Sequence, residues 1–305
     1  MRLVAVGSVA LLAALPASGG TTAARTESAL LARHAPILVL HPAERFRPVP
    51  VEGFLADSDL QRKTATGWEK VDGPLPAGGT DLRLDQRLCR AVEGMVASPC
   101  YAQAEAAHGA TPVVYGVVLR TRNRIDLQYW LWYPYNDYSP TIPASDVWQV
   151  HEGDWESVSV ILDSEGRPLF VGLSKHCAGI RRSWDSVSRL GARPLVYVAI
   201  GSHANYFGQG AFSHSPNCWP QELRDIVRSL KLVDHTGPGP RLRPRLVRVT
   251  ATRPPWMRFA GHWGEDGFVH FPNNDPIAYE GSPLSPAFQD QWRSPVKEEL
   301  SWPRG

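Results

Sequence analysis

The sequence predicts a mainly-β chain, an antiparallel β-sandwich with a few short peripheral helices and long loops. Three observations predict it. Short apolar runs of strand length recur between turn residues, only one later stretch has a helical period, and 27 prolines and 26 glycines break the chain throughout. Ile37–Leu40 reads as a buried strand. Val113–Leu119 and Ile125–Trp132 read as two more, joined at a hairpin turn by Thr121–Arg124. Pro134–Val150 reads as loop. Glu156–Leu162 is the clearest strand and turns at Asp163–Gly166. Leu169–Leu173, Leu195–Ile200 and Leu246–Val249 complete the set. Helices are expected at residues 25–34 and at Pro220–Leu230, where Leu223, Ile226, Val227 and Leu230 share one face. Residues 56–82 and 237–245 read as loop and linker, and the remainder after Val249 as loop.

Of 305 residues, 43% are hydrophobic and 20% charged, enough for a large core, and an all-β unit of this size can be one domain. Net charge is +2 and no basic run stands out, which argues against a nucleic-acid partner. Arg2, the apolar run Leu3–Pro16 and the small residues to Ala24 read as a secretory signal peptide over 1–24. That leaves a single domain over 25–305 of a secreted, extracellular protein. The apolar run is too short for a confident membrane span. Four cysteines fit an oxidising compartment and allow three pairings. Pairing the nearest in sequence gives Cys89 with Cys100 and Cys177 with Cys218. No zinc-type cysteine spacing occurs. The 11 tryptophans are many, and exposed ones favour carbohydrate or membrane interfaces.

The chemistry concentrates in His151-Glu-Gly-Asp-Trp-Glu156. Side chains alternate along a strand, so Asp154 and Glu156 continue the row of Val158, Val160 and Leu162, which should face the core. Two carboxylates buried together need a cation or a shared proton. A divalent metal answers this, with the His151 imidazole reaching from the preceding loop. Carboxylates favour Mg, Ca or Mn, and imidazoles move the balance toward Mn or Zn. His176 and His203 follow strand ends, where loops present functional groups. His262 in Gly261-His-Trp-Gly264 is a further candidate. Glu44 is read as a salt link to Arg45 or another arginine. No GxSxG nucleophile, phosphate loop or dinucleotide fingerprint is present.

Five segments together resemble the Vps62 (vacuolar protein sorting-associated protein 62) family. They are His41-Pro-Ala-Glu-Arg-Phe-Arg-Pro48, Tyr129–Asn136, His151–Glu156, Tyr197–Tyr206 and Gly261–Gly264. More distantly, residues 125–210 resemble the necrosis- and ethylene-inducing peptide-like proteins (NLPs). These are secreted cytolysins that carry Gly-His-Arg-His-Asp-Trp-Glu on a β-sandwich and bind a divalent cation beside it. That resemblance implies a divalent metal ion at Asp137, His151, Asp154, Glu156, His176 and His203. It also implies a glycan or membrane-lipid head group as ligand, with Glu152, Trp155, His262 and Trp263 as possible contacts. Glu152 and Gly153 depart from the cytolysin pattern. The expected function is metal-dependent, cytolysin-like recognition. The alternative is a secreted metal-dependent hydrolase using metal-bound water, and a purely structural domain is the third reading. No protein partner can be inferred.

Overall fold

The computed structural model describes residues 22–109, 111–140, 146–219 and 221–295. The expected leader lies outside them up to residue 21. The fold is the mainly-β sandwich expected from the sequence, but its sheets are mixed. An eight-stranded sheet forms the middle layer. Arg245–Arg248, Val113–Arg120, Arg124–Tyr138 and Trp148–Asp163 are neighbours in that order, the first pair parallel. Beyond Trp148–Asp163 the edge divides. Its end at Val158–Leu162 pairs with Pro168–Lys175, while its start at Trp148–Val150 pairs with Gly267–His270. Among the described residues no strand pairs on that side between Val150 and Val158, so the sheet opens a gap there.

Side-chain alternation gives this sheet two apolar faces. Tyr129, Leu131, Tyr133, Val158, Val160 and Leu162 pack with Leu38, Leu40, Val196 and Val198 of a second sheet, in which Ile37–Leu40 runs parallel to Arg193–Val198. Tyr115, Trp130, Trp132 and Trp155 face the other way. They pack on Leu82, Leu84 and Trp263 of a third, four-stranded sheet and on Trp256 and Trp292. Six of the 11 tryptophans therefore build one aromatic core layer.

Several elements differ from the sequence reading. Both ends of the expected loop Pro134–Val150 are strand, because Arg124–Tyr138 and Trp148–Asp163 continue their ladder past Pro134 to Tyr138↔Gln149, and residues 141–145 lie outside the described ones. Residues 56–82 contain the hairpin Ser58–Thr64 and Gly67–Lys70. Its side chains are mostly half-buried or exposed, so the sequence carries no apolar alternation to mark it. Gly267–His270 and Ile277–Tyr279 also lie in expected loop. The helix at 220–230 is a 3₁₀ turn Gln221–Leu223 followed by Arg224–Leu230, and it buries Leu223 and Val227 but leaves Ile226 and Leu230 exposed. Helix Thr22–His34 is where the sequence placed one, whereas Val51–Asp57 and Ser98–Ala107 were not anticipated. Both disulfides, Cys89–Cys100 and Cys177–Cys218, are the nearest-neighbour pairs. No described helix is long and apolar enough to cross a membrane.

Candidate functional site

The gap in the sheet edge is a cavity of about 220 Å³. His151, Asp154, Trp155 and Glu156 line it from the long strand, and Ser174, His176 and Ser202 from the neighbouring strand ends. Tyr133↔Asp154 and Leu131↔Glu156 are cross-strand pairs, so both carboxylates sit on the face that carries Val158 and Val160, as alternation requires. Glu156 accepts hydrogen bonds from Ser174 Oγ and from Asn205 Nδ2 (3.2 Å). Burial, and then the charge of Asp154, push the Glu156 carboxyl well above the usual carboxylate range.

His151 Nδ1 donates to the Gly153 carbonyl at 2.7 Å. Burial lowers the pKa of this imidazole, so it is neutral with its proton on Nδ1 and a lone pair on Nε2. The bond depends on Gly153, whose φ of +61° turns the strand. A Cβ there would lie 2.3 Å from the Trp132 ring and 2.3 Å from the Trp263 carbonyl. Position 153 therefore has no room for a side chain.

His203 does not line the cavity. It is fully buried behind Asp154 and lies parallel to the Tyr133 ring at 3.9 Å. Its Nδ1 bonds Asp154 Oδ2 at 3.0 Å and its Nε2 faces Glu44 Oε1 at 3.6 Å. Burial alone would lower its pKa, but the Glu44 and Asp154 carboxylates raise it to about 10. It is an imidazolium that orients Asp154, with both nitrogens turned toward carboxylates. Glu44 is held by the backbone N–H groups of Phe46 (2.8 Å) and Gly201 (2.7 Å), which replaces the expected arginine link. Asp137 also lies behind the cavity, 3.4 Å from Arg45, and burial and the Glu44 charge raise its pKa to about 7.

His176 reaches the cavity wall, but its Nε2 is bonded to Asp234 Oδ2 at 2.7 Å. Of the six expected ligands the structure therefore brings His151, Asp154, Glu156 and His176 to one cavity, and sets Asp137 and His203 behind it.

The expected ligand contacts fare differently. Trp155 is 4% exposed and Trp263 is not exposed, and both belong to the aromatic core. Burying the indoles stabilises the sheet packing and leaves little surface for a ligand. Glu152 is fully buried, bonded by Tyr101 OH at 2.6 Å and by the N–H groups of Gln86 and Glu265. It converges with Asp85 and Glu265 in an acidic cluster away from the cavity. His262 lies in that neighbourhood, on Ser282 O and 2.8 Å from Glu280. Sequence reasoning missed Asn205, Asp234 and His214. Asn205 stands inside the Tyr197–Tyr206 segment, where it could have been found. The other two come from stretches with no motif.

NLPPya, in a structure of its complex with mannosamine, is 15% identical and matches 77% of this chain and 78% of its own, with a TM-score of 0.35. Among curated proteins, TDA6 of Saccharomyces cerevisiae, a candidate vacuolar protein sorting-associated protein, is 26% identical over 58% of this chain and 44% of its own length. Vacuolar protein sorting-associated protein 62 of the same yeast is 24% identical over 63% of this chain and 46% of its own. The chain thus spans less than half the length of these two relatives. The family model for vacuolar protein sorting-associated protein 62 matches residues 21–274, and the chain belongs to that family.

Proposed function

We propose that this is a secreted protein that holds a divalent metal ion at His151, Asp154 and Glu156 and uses it to recognise a sugar, free or on a lipid head group. One observation carries the reading. Two buried carboxylates and a neutral imidazole with its Nε2 lone pair line one cavity, where burial and then the charge of Asp154 raise the Glu156 carboxyl. Such a donor set fits a hard or borderline divalent ion. The ion would neutralise the pair and offer open positions to ligand oxygens. His203 would keep Asp154 aligned from behind. The amide and hydroxyl groups of Asn136, Gln149, Ser174, Ser202, Gln289 and Gln291 around the cavity can exchange hydrogen bonds with sugar hydroxyls. The two disulfides support an oxidising, extracellular setting.

The test is metal-dependent stability. Adding Mg²⁺, Ca²⁺, Mn²⁺ or Zn²⁺ to chelator-stripped protein should raise its thermal midpoint, as binding at a hundredfold excess over Kd stabilises by about 2.7 kcal/mol. Asp154→Asn should abolish the rise. A wild type that is metal-free as purified and whose midpoint ignores all four ions would end the reading. Glycan-array binding that persists in chelator would confine the ion to a structural role.

A further inference from the structure

A second cluster of ligating groups lies beside the cavity and takes no part in the function proposed above. His176, His214 and Asp234 each offer a ligand atom within 4.8 Å of the others. Three separate stretches supply them. His176 follows the strand Pro168–Lys175, at φ +53°, a backbone conformation few side chains adopt. His214 follows Gly210–Ser213, and Asp234 lies on the paired strand Val233–Thr236, opposite Phe212. The Cys177–Cys218 disulfide ties the two histidine segments together, one residue after His176 and four after His214. A covalent tie of this kind lowers the entropy cost of bringing two ligands to one point.

The bland account is a structural carboxylate with its donors. Asp234 is fully buried and already accepts from Ser202 Oγ (2.6 Å) and Tyr206 OH (2.5 Å), besides His176 Nε2. That account leaves His214 unexplained. Its side chain is 2% exposed, and its Nε2 is 3.0 Å from Asp234 Oδ1 but out of line for a hydrogen bond. Among the described residues that nitrogen has no hydrogen-bond partner. A buried polar nitrogen without a well-aligned hydrogen bond is destabilising, even beside a carboxylate. The His214 ring also lies only 4.1 Å from that of His176. Two imidazoles crowded at one carboxylate, with one nitrogen aimed past its acceptor, are accounted for by a cation between them.

We propose that His176, His214 and Asp234 form a second metal site, distinct from His151, Asp154 and Glu156, that takes a zinc-class transition-metal ion. Two imidazoles and one carboxylate select zinc, or cobalt as its probe, over magnesium and calcium, and three protein ligands leave a position open. Both Ser202 and His176 line the large cavity, so that position lies next to it.

The experiment uses the oxidised full chain, stripped with chelator and titrated with Zn²⁺ and with Co²⁺ as optical probe. The wild type should bind one equivalent that His214→Gln weakens at least about a hundredfold, as expected for loss of a direct ligand when outer-shell losses alone cost 10–100-fold. Asp154→Asn should retain that equivalent, whatever it does to the first site, so the two readings fail separately. Zinc binding unchanged in His214→Gln, or lost only in Asp154→Asn, would overturn the second site. Zinc-edge absorption of the wild type at one equivalent gives an independent answer if His214→Gln does not fold. Two imidazole scatterers are expected, and one or none would refute the assignment.

Discussion

Replacing Gly153 by alanine probes the turn that aims the site. At φ +61° an L-residue pays roughly 1–2 kcal/mol for the left-handed backbone. The added methyl would also meet the Trp132 ring and the Trp263 carbonyl, each at 2.3 Å. Neither can yield freely. Trp132 is packed among Phe54, Trp155 and Trp263, and the Trp263 backbone is pinned by its N–H on Pro283 O at 2.8 Å. Overpacking of this kind costs about 1–3 kcal/mol. The sum is on the order of 2–5 kcal/mol, read as a lower urea midpoint of the disulfide-intact protein at unchanged slope. Gly166→Ala is the control, because Gly166 has φ +83° with nothing within 4 Å of the added carbon. It should show the backbone cost alone, roughly 1–2 kcal/mol. A Gly153→Ala protein no less stable than the Gly166→Ala protein would refute the steric argument and with it the account of why the motif has glycine here.

Two further outcomes follow from burial and charge. Trp155→Ala should cost about 3–5 kcal/mol in chemical denaturation, because the indole is wedged among Tyr115, Trp132, Trp256 and Trp263. Near-wild-type stability with lost ligand binding would return Trp155 to the role of a sugar platform. Burial raises the pKa of Glu265 above its ordinary value, so its contribution is fully present below about pH 4.5 and is lost as pH rises through the folded pKa. Glu265→Gln should therefore match the wild type in acid and surpass it increasingly toward pH 8, read by thermal midpoints across that range. Parallel pH curves would show that Glu265 ionises as freely in the fold as in the unfolded chain.

The sequence alone determined the mainly-β sandwich, the family and the strand that carries Asp154 and Glu156, while the structure chose Cys89–Cys100 and Cys177–Cys218 among the three possible cysteine pairings. These rest on local patterns. Apolar alternation placed Val158, Val160 and Leu162 on one face, and the same period carried the two carboxylates with them. Strands such as Ser58–Thr64 and Gly267–His270 have no such pattern, because backbone pairing with a distant strand holds them and their side chains need not be apolar. The tertiary structure decided the rest of the site. It turned His203 into a buried cation between Glu44 and Asp154, a role set by residues 159 and 49 positions away in the chain. It drew His176 to Asp234, and it folded Trp155 and Trp263 into the core. A histidine's role depends on which charges surround it, and an indole's on which side of a sheet is covered. Both are set by contacts between segments far apart in the chain, which local spacing does not encode.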